Sequence, residues 1–234
     1  APVHDEDLAA QQAAATGATR HCTRGFARSA QAADTPTFSI EFHDGKVTTA
    51  NAGVLSGKLR QLTNGGLYYK DSNGVTQSKW IHDAKINALK ELIDELQGSP
   101  AWVAYHHKHE LVRLRQEFPQ AVVMDKNDPS IVTRWNRGDI PILLGHPRSA
   151  AHGLNMQEAG KAVIFIALPF SYDDYDQFIR RLWRQGRKSR VMLYPIIAKD
   201  TLDQVILSAI RRKKRTQEDL FTAIEQYCRQ KSAL

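Results

Sequence analysis

One stretch of the sequence combines arginines with the spacing of a helix. Residues 177–190 read QFIRRLWRQGRKSR. Gln177, Arg181 and Arg184 fall at i, i+4 and i+7, so a helix would carry them on one face. Two guanidinium groups three residues apart can converge on one multiply charged phosphate, and the planar arginine fork suits that geometry better than lysine. For this helix taken alone, a solvated basic face is the competing interpretation.

A loop rich in small residues precedes this helix in the chain. A predicted strand ends at Leu144, and HPRSAAHGLNMQ follows at 146–157. Small residues such as Ser149 and Gly153 let a backbone approach a ligand closely, and amide groups in such a loop can bind phosphate. Taken alone, the loop could equally be an ordinary connection between two strands, in which the glycine permits a turn.

Together, the two segments resemble motifs V and VI of superfamily-2 helicases, in particular the Swi/Snf-like DNA translocases and their phage-associated members. Upstream, AWVAYHHKHELVRL resembles motif IV, DAKINALKELIDEL the helix before it, and LSGKLRQLTNGGLYY the segment that joins the two helicase lobes. Arg187 stands where the family usually has glutamine. The resemblance covers residues 36–227, which correspond to the second RecA-like lobe and its lead-in.

The resemblance implies a motor that binds ATP with Mg²⁺ between two lobes. The first lobe supplies the phosphate-binding loop and the acidic motif, and the second supplies arginine fingers that stabilise transition-state charge. It implies that Arg184 is the principal finger and Arg181 its partner. The other implied nucleotide-binding residues are Gln177, Gly153, Asn155, Gln157 and Gly186. The implied DNA-binding residues are His146, Arg148, Ser149, Lys188 and Arg190.

The first lobe itself is missing from this chain. A phosphate-binding loop reads G-x-x-x-x-G-K-[ST], whereas GVLSGKL at 53–59 has one residue too few between its glycines and a leucine at the hydroxyl position. HDEDLA near the start does not match the acidic motif. We therefore expect the chain on its own to be inactive as an ATPase. YHHKHE at 105–110 lacks the H-E-x-x-H spacing, so we expect no metal site.

The segment from Asp83 onward alternates apolar runs with helical patterns. The predicted strands are AWVAY, AVVM, IPILLG, AVIFIAL and VMLYPIIA. The predicted helices are DAKINALKELIDELQG, HKHELVRLRQEF, DPSIVTRWNRG, SYDDYDQFIRRLWRQG and TLDQVILSAIRRKKR. Continuously apolar strands are typical of a parallel sheet covered by helices. The pattern predicts an α/β fold with a RecA-like, doubly wound parallel sheet. Ligands bind such sheets beyond the carboxyl ends of the strands, which favours the loops at 146–153, 168–172 and 199–201.

The chain divides by composition into three predicted parts. Residues 1–35 are a low-complexity segment with little to bury, which we expect to be disordered or loosely folded. Residues 36–80 form a partly irregular lead-in, in which FSIEF alternates like a strand, HDG supplies a turn and VLSGKLRQL has helical spacing. Residues 81–234 form the helicase C-terminal domain.

Composition favours an anionic partner and a reducing compartment. The 234 residues include 32 Lys plus Arg against 25 Asp plus Glu, a net charge of +7, which favours nucleic acid ahead of a membrane surface. Cys22 and Cys228, the two cysteines, form neither a disulfide framework nor a metal quartet. With no stretch of 18 apolar residues, we expect a cytoplasmic protein.

The leading hypothesis is the C-terminal lobe of an ATP-dependent DNA helicase or translocase, with DNA and a separate first lobe as partners. The alternative is a non-catalytic nucleic-acid-binding module derived from a helicase lobe. A small-molecule enzyme on a Rossmann-like sheet is disfavoured, because no G-x-G-x-x-G follows a strand.

Overall fold

The protein, seen in a computed structural model, divides into two compact units. The structure describes residues 20–22, 39–42, 45–48, 52–148, 155–183, 189–212, 223 and 226. Those of the first unit lie within 1–22, 85–169 and 173–197, and those of the second lie within 23–84, 170–172 and 198–234.

Ten strands and six longer helices lie in the described residues. The strands are β1 Arg20–Cys22, β2 Ser39–Phe42, β3 Gly45–Thr48, β4 Gly66–Asp71, β5 Thr76–Trp80, β6 Ala101–Ala104, β7 Val122–Val123, β8 Ile142–Gly145, β9 Ala162–Phe165 and β10 Met192–Ala198. The helices are α1 Ala52–Thr63, α2 Ala84–Glu95, α3 Lys108–Glu117, α4 Ser130–Arg137, α5 Tyr172–Ile179 and α6 Leu202–Arg211.

The first unit is built on the predicted parallel sheet. Its strand order is β1-β10-β9-β6-β8-β7, and the five strands from β10 to β7 pair in parallel. β6, β8 and β9 are buried at every position, which explains why their sequences are continuously apolar. β6 comes first of the five in the chain and lies between β8 and β9, so successive strands are added on both sides of it. This arrangement, flanked by helices, confirms the predicted RecA-like fold.

Aromatic rings fill the centre of this unit. Trp102 on β6 packs on Phe178 of α5 with ring centroids 4.0 Å apart, and Phe165 lies 5.5 Å from Phe178. A Cβ atom added at Gly145 would lie 2.5 Å from Nε1 of Trp102, so this strand position requires glycine. Lys85 on α2, 1% exposed, donates from Nζ to the carbonyl of Ile166 at 3.0 Å, just beyond the end of β9.

The second unit contains an antiparallel sheet in the order β2-β3-β4-β5. Val47, Leu67 and Tyr69 form its buried cluster. The sequence predicted the strand at FSIEF and the helix α1, both of which are present, but not the β4–β5 hairpin. Between β4 and β5, the carboxylate of Asp71 accepts hydrogen bonds from two amides of the turn. The predicted loop at 199–201 is closed by its own bonds, since Thr201 Oγ1 donates to the carbonyl of Ala198 at 2.8 Å.

The end of α5 differs from its prediction. The sequence predicts one helix over 171–186, whereas α5 ends at Ile179. Beyond it, the amides of Arg181 and Leu182 donate to carbonyls three residues back rather than four, which tightens the chain into a turn. The predicted extent of this helix is therefore wrong. Trp183 still donates to the carbonyl of Ile179, four residues back, so the common face of Gln177 and Arg181 stays a prediction. α4 also begins one residue later than predicted, with Pro129 at its N-cap.

Candidate functional site

The predicted site residues of the first unit lie at two opposite ends of its sheet. α5 follows β9 and runs back along the sheet, so its first turn lies near the carboxyl ends of the strands and its last turn near their amino ends. The residues near the carboxyl ends of the strands form what we call the carboxyl-end cluster: Tyr105, His106, His107, His109, Glu110, His146, Arg148 and Asp174. Those near the amino ends form what we call the amino-end cluster: Trp135, Asn136, Asn155, Met156, Gln157, Gly160, Arg181 and Leu182.

Rings from two neighbouring strands meet in the carboxyl-end cluster. Tyr105 and His106 follow β6 directly, and His146 follows β8 directly. Because β6 and β8 are parallel neighbours, their ends lie side by side, and the Tyr105 amide donates to the carbonyl of Gly145 at 3.1 Å. The His146 ring centroid lies 5.1 Å from that of His106 and 6.0 Å from that of Tyr105. Strand register thus brings these three rings together.

The start of α3 adds two further imidazoles and a carboxylate. Glu110, 1% exposed, accepts hydrogen bonds from the backbone amides of His106 at 2.7 Å and His107 at 3.1 Å. The His107 and His109 rings stack with centroids 5.2 Å apart and an interplanar angle of 18°. Burial lowers the pKa of His109 to about 4, although the charge of Glu110 opposes this shift. Burial, with a smaller contribution from Glu110, raises the pKa of Tyr105.

Arg148 is an exposed cation in this cluster. Its Nε lies 3.0 Å from Oδ2 of Asp174, in the first turn of α5, and its side chain is 72% exposed. Its backbone amide donates to Nδ1 of His146 at 3.2 Å. Exposed pairs of this kind contribute about 0–1 kcal/mol, so the contact with Asp174 restrains the guanidinium only weakly.

Backbone hydrogen bonds assemble the amino-end cluster. The amide of Met156 donates to the carbonyl of Arg181 at 3.3 Å, and Nε1 of Trp135 donates to the carbonyl of Met156 at 3.1 Å. A Cβ atom added at Gly160 would lie 2.5 Å from Cδ2 of Leu182 and against the Trp135 ring. The segment that follows the small-residue loop is therefore joined to the turn that follows α5.

The predicted nucleotide-binding residues among these differ in exposure. Asn155 is exposed, and its carbonyl accepts a hydrogen bond from Nδ2 of Asn136 at 2.8 Å. Gln157 is half-buried and Gln177 is exposed. Arg181 is 9% exposed, so its side chain is largely covered within the unit. The bond from the Met156 amide to the Arg181 carbonyl places the backbone of Arg181 next to the residue that follows Asn155.

The predicted DNA-binding residues do not form one surface. His146 and Arg148 lie at the carboxyl ends of the strands, as predicted. Arg190, which is exposed, comes just before β10 and so lies at the opposite end of the sheet. Five predicted site residues lie outside the described residues: Arg184, Gly186, Lys188, Ser149 and Gly153.

Sequence reasoning missed two side chains that organise these clusters. Asp174 pairs with Arg148 across the sheet end, and no spacing rule connects two residues so far apart in the chain. Trp135 was part of a predicted helix, and its hydrogen bond to Met156 could not be anticipated from that pattern. His106 and His146 did carry a signal, because each stands close behind an apolar strand.

The strand order and buried parallel ladders define the first unit as a RecA-like α/β domain. No family model matches the chain. It is 36% identical over 191 residues to protein p41 of Acyrthosiphon pisum secondary endosymbiont phage 1, covering 80% of this chain and 41% of that protein. The chain thus spans about two fifths of the length of that relative.

Two solved structures are similar in fold. The C-terminal part of the Fun30 ATPase domain aligns with a TM-score of 0.51 and 20% identity over 60% of this chain and 52% of that one. The Pyrococcus furiosus Hef helicase domain aligns with a TM-score of 0.45 and 22% identity over 56% of this chain and 28% of that one. The first similarity supports the fold assignment. Within the described residues, no helix combines the length and hydropathy needed to cross a bilayer.

Proposed function

We propose that this chain is the second RecA-like lobe of an ATP-dependent DNA helicase or translocase of the Swi/Snf-like, phage-associated type. The observation that carries the proposal is the hydrogen bond from Met156 to Arg181. It joins the segment that resembles motif V to the segment that resembles motif VI. A motor needs such a connection, because ATP hydrolysis at one site must be coupled to DNA binding at another. The similarity in fold to part of the Fun30 ATPase domain supports the proposal.

The proposed nucleotide-facing region is the amino-end cluster with the chain beyond it. ATP and Mg²⁺ would be held by a first lobe, and Arg184 and Arg181 would approach the transferred phosphate as fingers. Gln177, Asn155 and Gln157 would line the same side, together with Gly153 and Gly186. Arg181 is largely covered in the isolated unit, so we propose that docking of the first lobe exposes it to the nucleotide.

The proposed DNA-facing region is the carboxyl-end cluster. His146 and Arg148, with Ser149, would contact the phosphate backbone, a mode of binding that ignores base sequence. Lys188 and Arg190 would add contacts from a second position. The exposed guanidinium of Arg148 and the net charge of +7 support this role.

The decisive test is DNA-stimulated ATP hydrolysis, measured for the full chain alone and mixed with a first lobe that carries G-x-x-x-x-G-K-[ST]. That lobe should be sought first in the part of protein p41 that the alignment leaves uncovered. We expect no hydrolysis by either partner alone, and DNA-dependent hydrolysis by the mixture. Arg184→Ala should lower the rate by about 10³- to 10⁵-fold, whereas Lys126→Ala on an exposed turn should not. Hydrolysis by this chain alone, abolished by Arg184→Ala, would contradict the missing first lobe.

The alternative function is a nucleic-acid-binding module without motor activity. Its support is the same exposed Arg148 and positive charge. This alternative predicts that the chain binds DNA but restores no hydrolysis to any first lobe. The same mixing experiment therefore decides between the two functions.

A further inference from the structure

The imidazoles at the start of α3 lie closer together than their sequence spacing suggests. In a regular helix, residues at i and i+2 point in different directions. His107, however, is the N-cap residue of α3, with extended backbone angles of φ −102° and ψ 150°. Its ring is therefore freed from the helical spacing and stacks on that of His109. The H-E-x-x-H rule, on which the sequence-based expectation of no metal rested, does not apply to such a cap.

We propose that His107, His109 and Glu110 bind a first-row transition metal ion, with Zn²⁺ the best match. Each of the three offers a ligand atom, and these atoms all lie within 4.8 Å of one another. Two imidazole nitrogens and one carboxylate oxygen form a set that Zn²⁺ accepts, with a fourth position left for water. Mg²⁺ and Ca²⁺ prefer oxygen ligands alone and fit this set poorly.

The distances require only local side-chain movement. Zn²⁺ bonds of about 2.0–2.2 Å place tetrahedral ligand atoms roughly 3.4 Å apart. The three side chains would therefore close by about an ångström, which rotation of the two stacked imidazole rings can supply. The backbone can stay where it is.

The carboxylate is already held in position. The carboxylate of Glu110 accepts hydrogen bonds from the backbone amides of His106 and His107. These bonds fix the position of the carboxylate relative to the loop that carries His107. Such supporting bonds orient metal ligands in known sites. Glu110 is 1% exposed and His109 7% exposed, and a buried carboxylate gains from a neighbouring cation. His106, whose ring lies 4.8 Å from that of His107, supplies a further imidazole at the rim.

This site lies in the proposed DNA-facing region, but its test measures neither DNA binding nor ATP hydrolysis, so it can succeed or fail separately from the proposed function. The full chain, stripped with a chelator, is titrated with Co²⁺ and then with Zn²⁺, and the visible absorption of Co²⁺ reports its coordination. We expect one ion per chain with a tetrahedral spectrum that Zn²⁺ removes. Loss of a hydrogen bond that supports a metal ligand lowers metal affinity by roughly 10- to 100-fold. Because His107→Gln and His109→Gln each remove a ligand itself, each should lower the affinity for Co²⁺ by more than that. Lys108→Gln, an exposed neighbour on the same helix, is the matched control and should bind like the parent.

Two results would overturn the proposal: no tetrahedral Co²⁺ spectrum, or binding that survives both histidine substitutions. If His109→Gln fails to fold, the half-buried His107 still provides the test, and X-ray absorption of the Zn²⁺-loaded parent provides a second one. There we expect nitrogen and oxygen ligands with imidazole scattering. A sulfur shell at about 2.3 Å would place the ion on Cys22 or Cys228 and contradict the site.

Discussion

The two ends of the parallel sheet are built by different means. At the carboxyl end, side chains from neighbouring strands meet through register, as His106 and His146 do. At the amino end, backbone groups from distant segments meet through hydrogen bonds, as Met156 and Arg181 do. The first kind of assembly tolerates changes of single side chains, whereas the second depends on the packing that holds two chain segments together. The difference predicts unequal responses to substitution.

The largest effect should follow Trp135→Ala. Trp135 is fully buried, and its indole donates to the carbonyl of Met156. Loss of a buried aromatic side chain costs about 3–5 kcal/mol of unfolding free energy, measurable by urea denaturation. We also expect the amino-end cluster to loosen, so that hydrogen exchange accelerates more at the Met156 amide than at the Tyr105 amide.

Trp135→Phe separates the two contributions of this residue. It keeps most of the ring but leaves the Met156 carbonyl without the indole donor, which should cost about 1–3 kcal/mol. Equal acceleration of exchange at both ends in either variant would show that the two clusters are not separate.

A smaller effect, of about 1–3 kcal/mol for overpacking, should follow Gly145→Ala and Gly160→Ala. At Gly145 the added methyl group meets Trp102, and at Gly160 it meets Leu182 and Trp135. We expect similar losses of stability by thermal denaturation but different losses of reconstituted ATPase. Only Gly160→Ala should displace the Arg181 turn and lower that rate at temperatures where both variants are folded.

Gly57→Ala is the matched control for this pair. Gly57 lies within α1, where an added methyl group meets no atom within 4 Å, so stability should stay equal or rise by about 0.4–1 kcal/mol. A Gly145→Ala variant that loses as much ATPase as Gly160→Ala would contradict the assignment of the Arg181 turn to the nucleotide.

The smallest change in stability should follow Arg148→Ala. Its exposed ion pair with Asp174 contributes about 0–1 kcal/mol. DNA binding should nevertheless weaken for all sequences alike, and the slope of log affinity against log salt should fall by about 1. Arg115→Ala, an exposed arginine in the last turn of α3, is the control and should keep the parent slope. An unchanged slope for Arg148→Ala would remove this residue from the proposed DNA-facing region.

Much of the fold could be predicted, because buried parallel strands leave a clear pattern. β6, β8 and β9 are apolar at each position since helices cover the sheet. The β4–β5 hairpin left no such pattern. β5, TQSKW, is exposed at its first four positions, and its pairing with β4 depends on register rather than on a buried face.

The candidate site was less predictable than the fold. His146 and Arg148 were correctly placed at the carboxyl ends because they follow a strand directly. The end of α5 was predicted too far along the chain, because the helical pattern continues past Ile179, whereas the chain turns there and the Arg181 carbonyl accepts a hydrogen bond from the Met156 amide. Contacts between segments far apart in the chain decide where such a helix ends. The local spacing of residues carries no information about those contacts.

α5 connects the two ends of the sheet. Asp174 in its first turn contacts Arg148, and the Arg181 turn follows its last residue. Eight helical residues span about 12 Å, and so short a helix moves as a rigid rod. We therefore expect a displacement of Asp174 to shift the turn that carries Arg181 in the same direction.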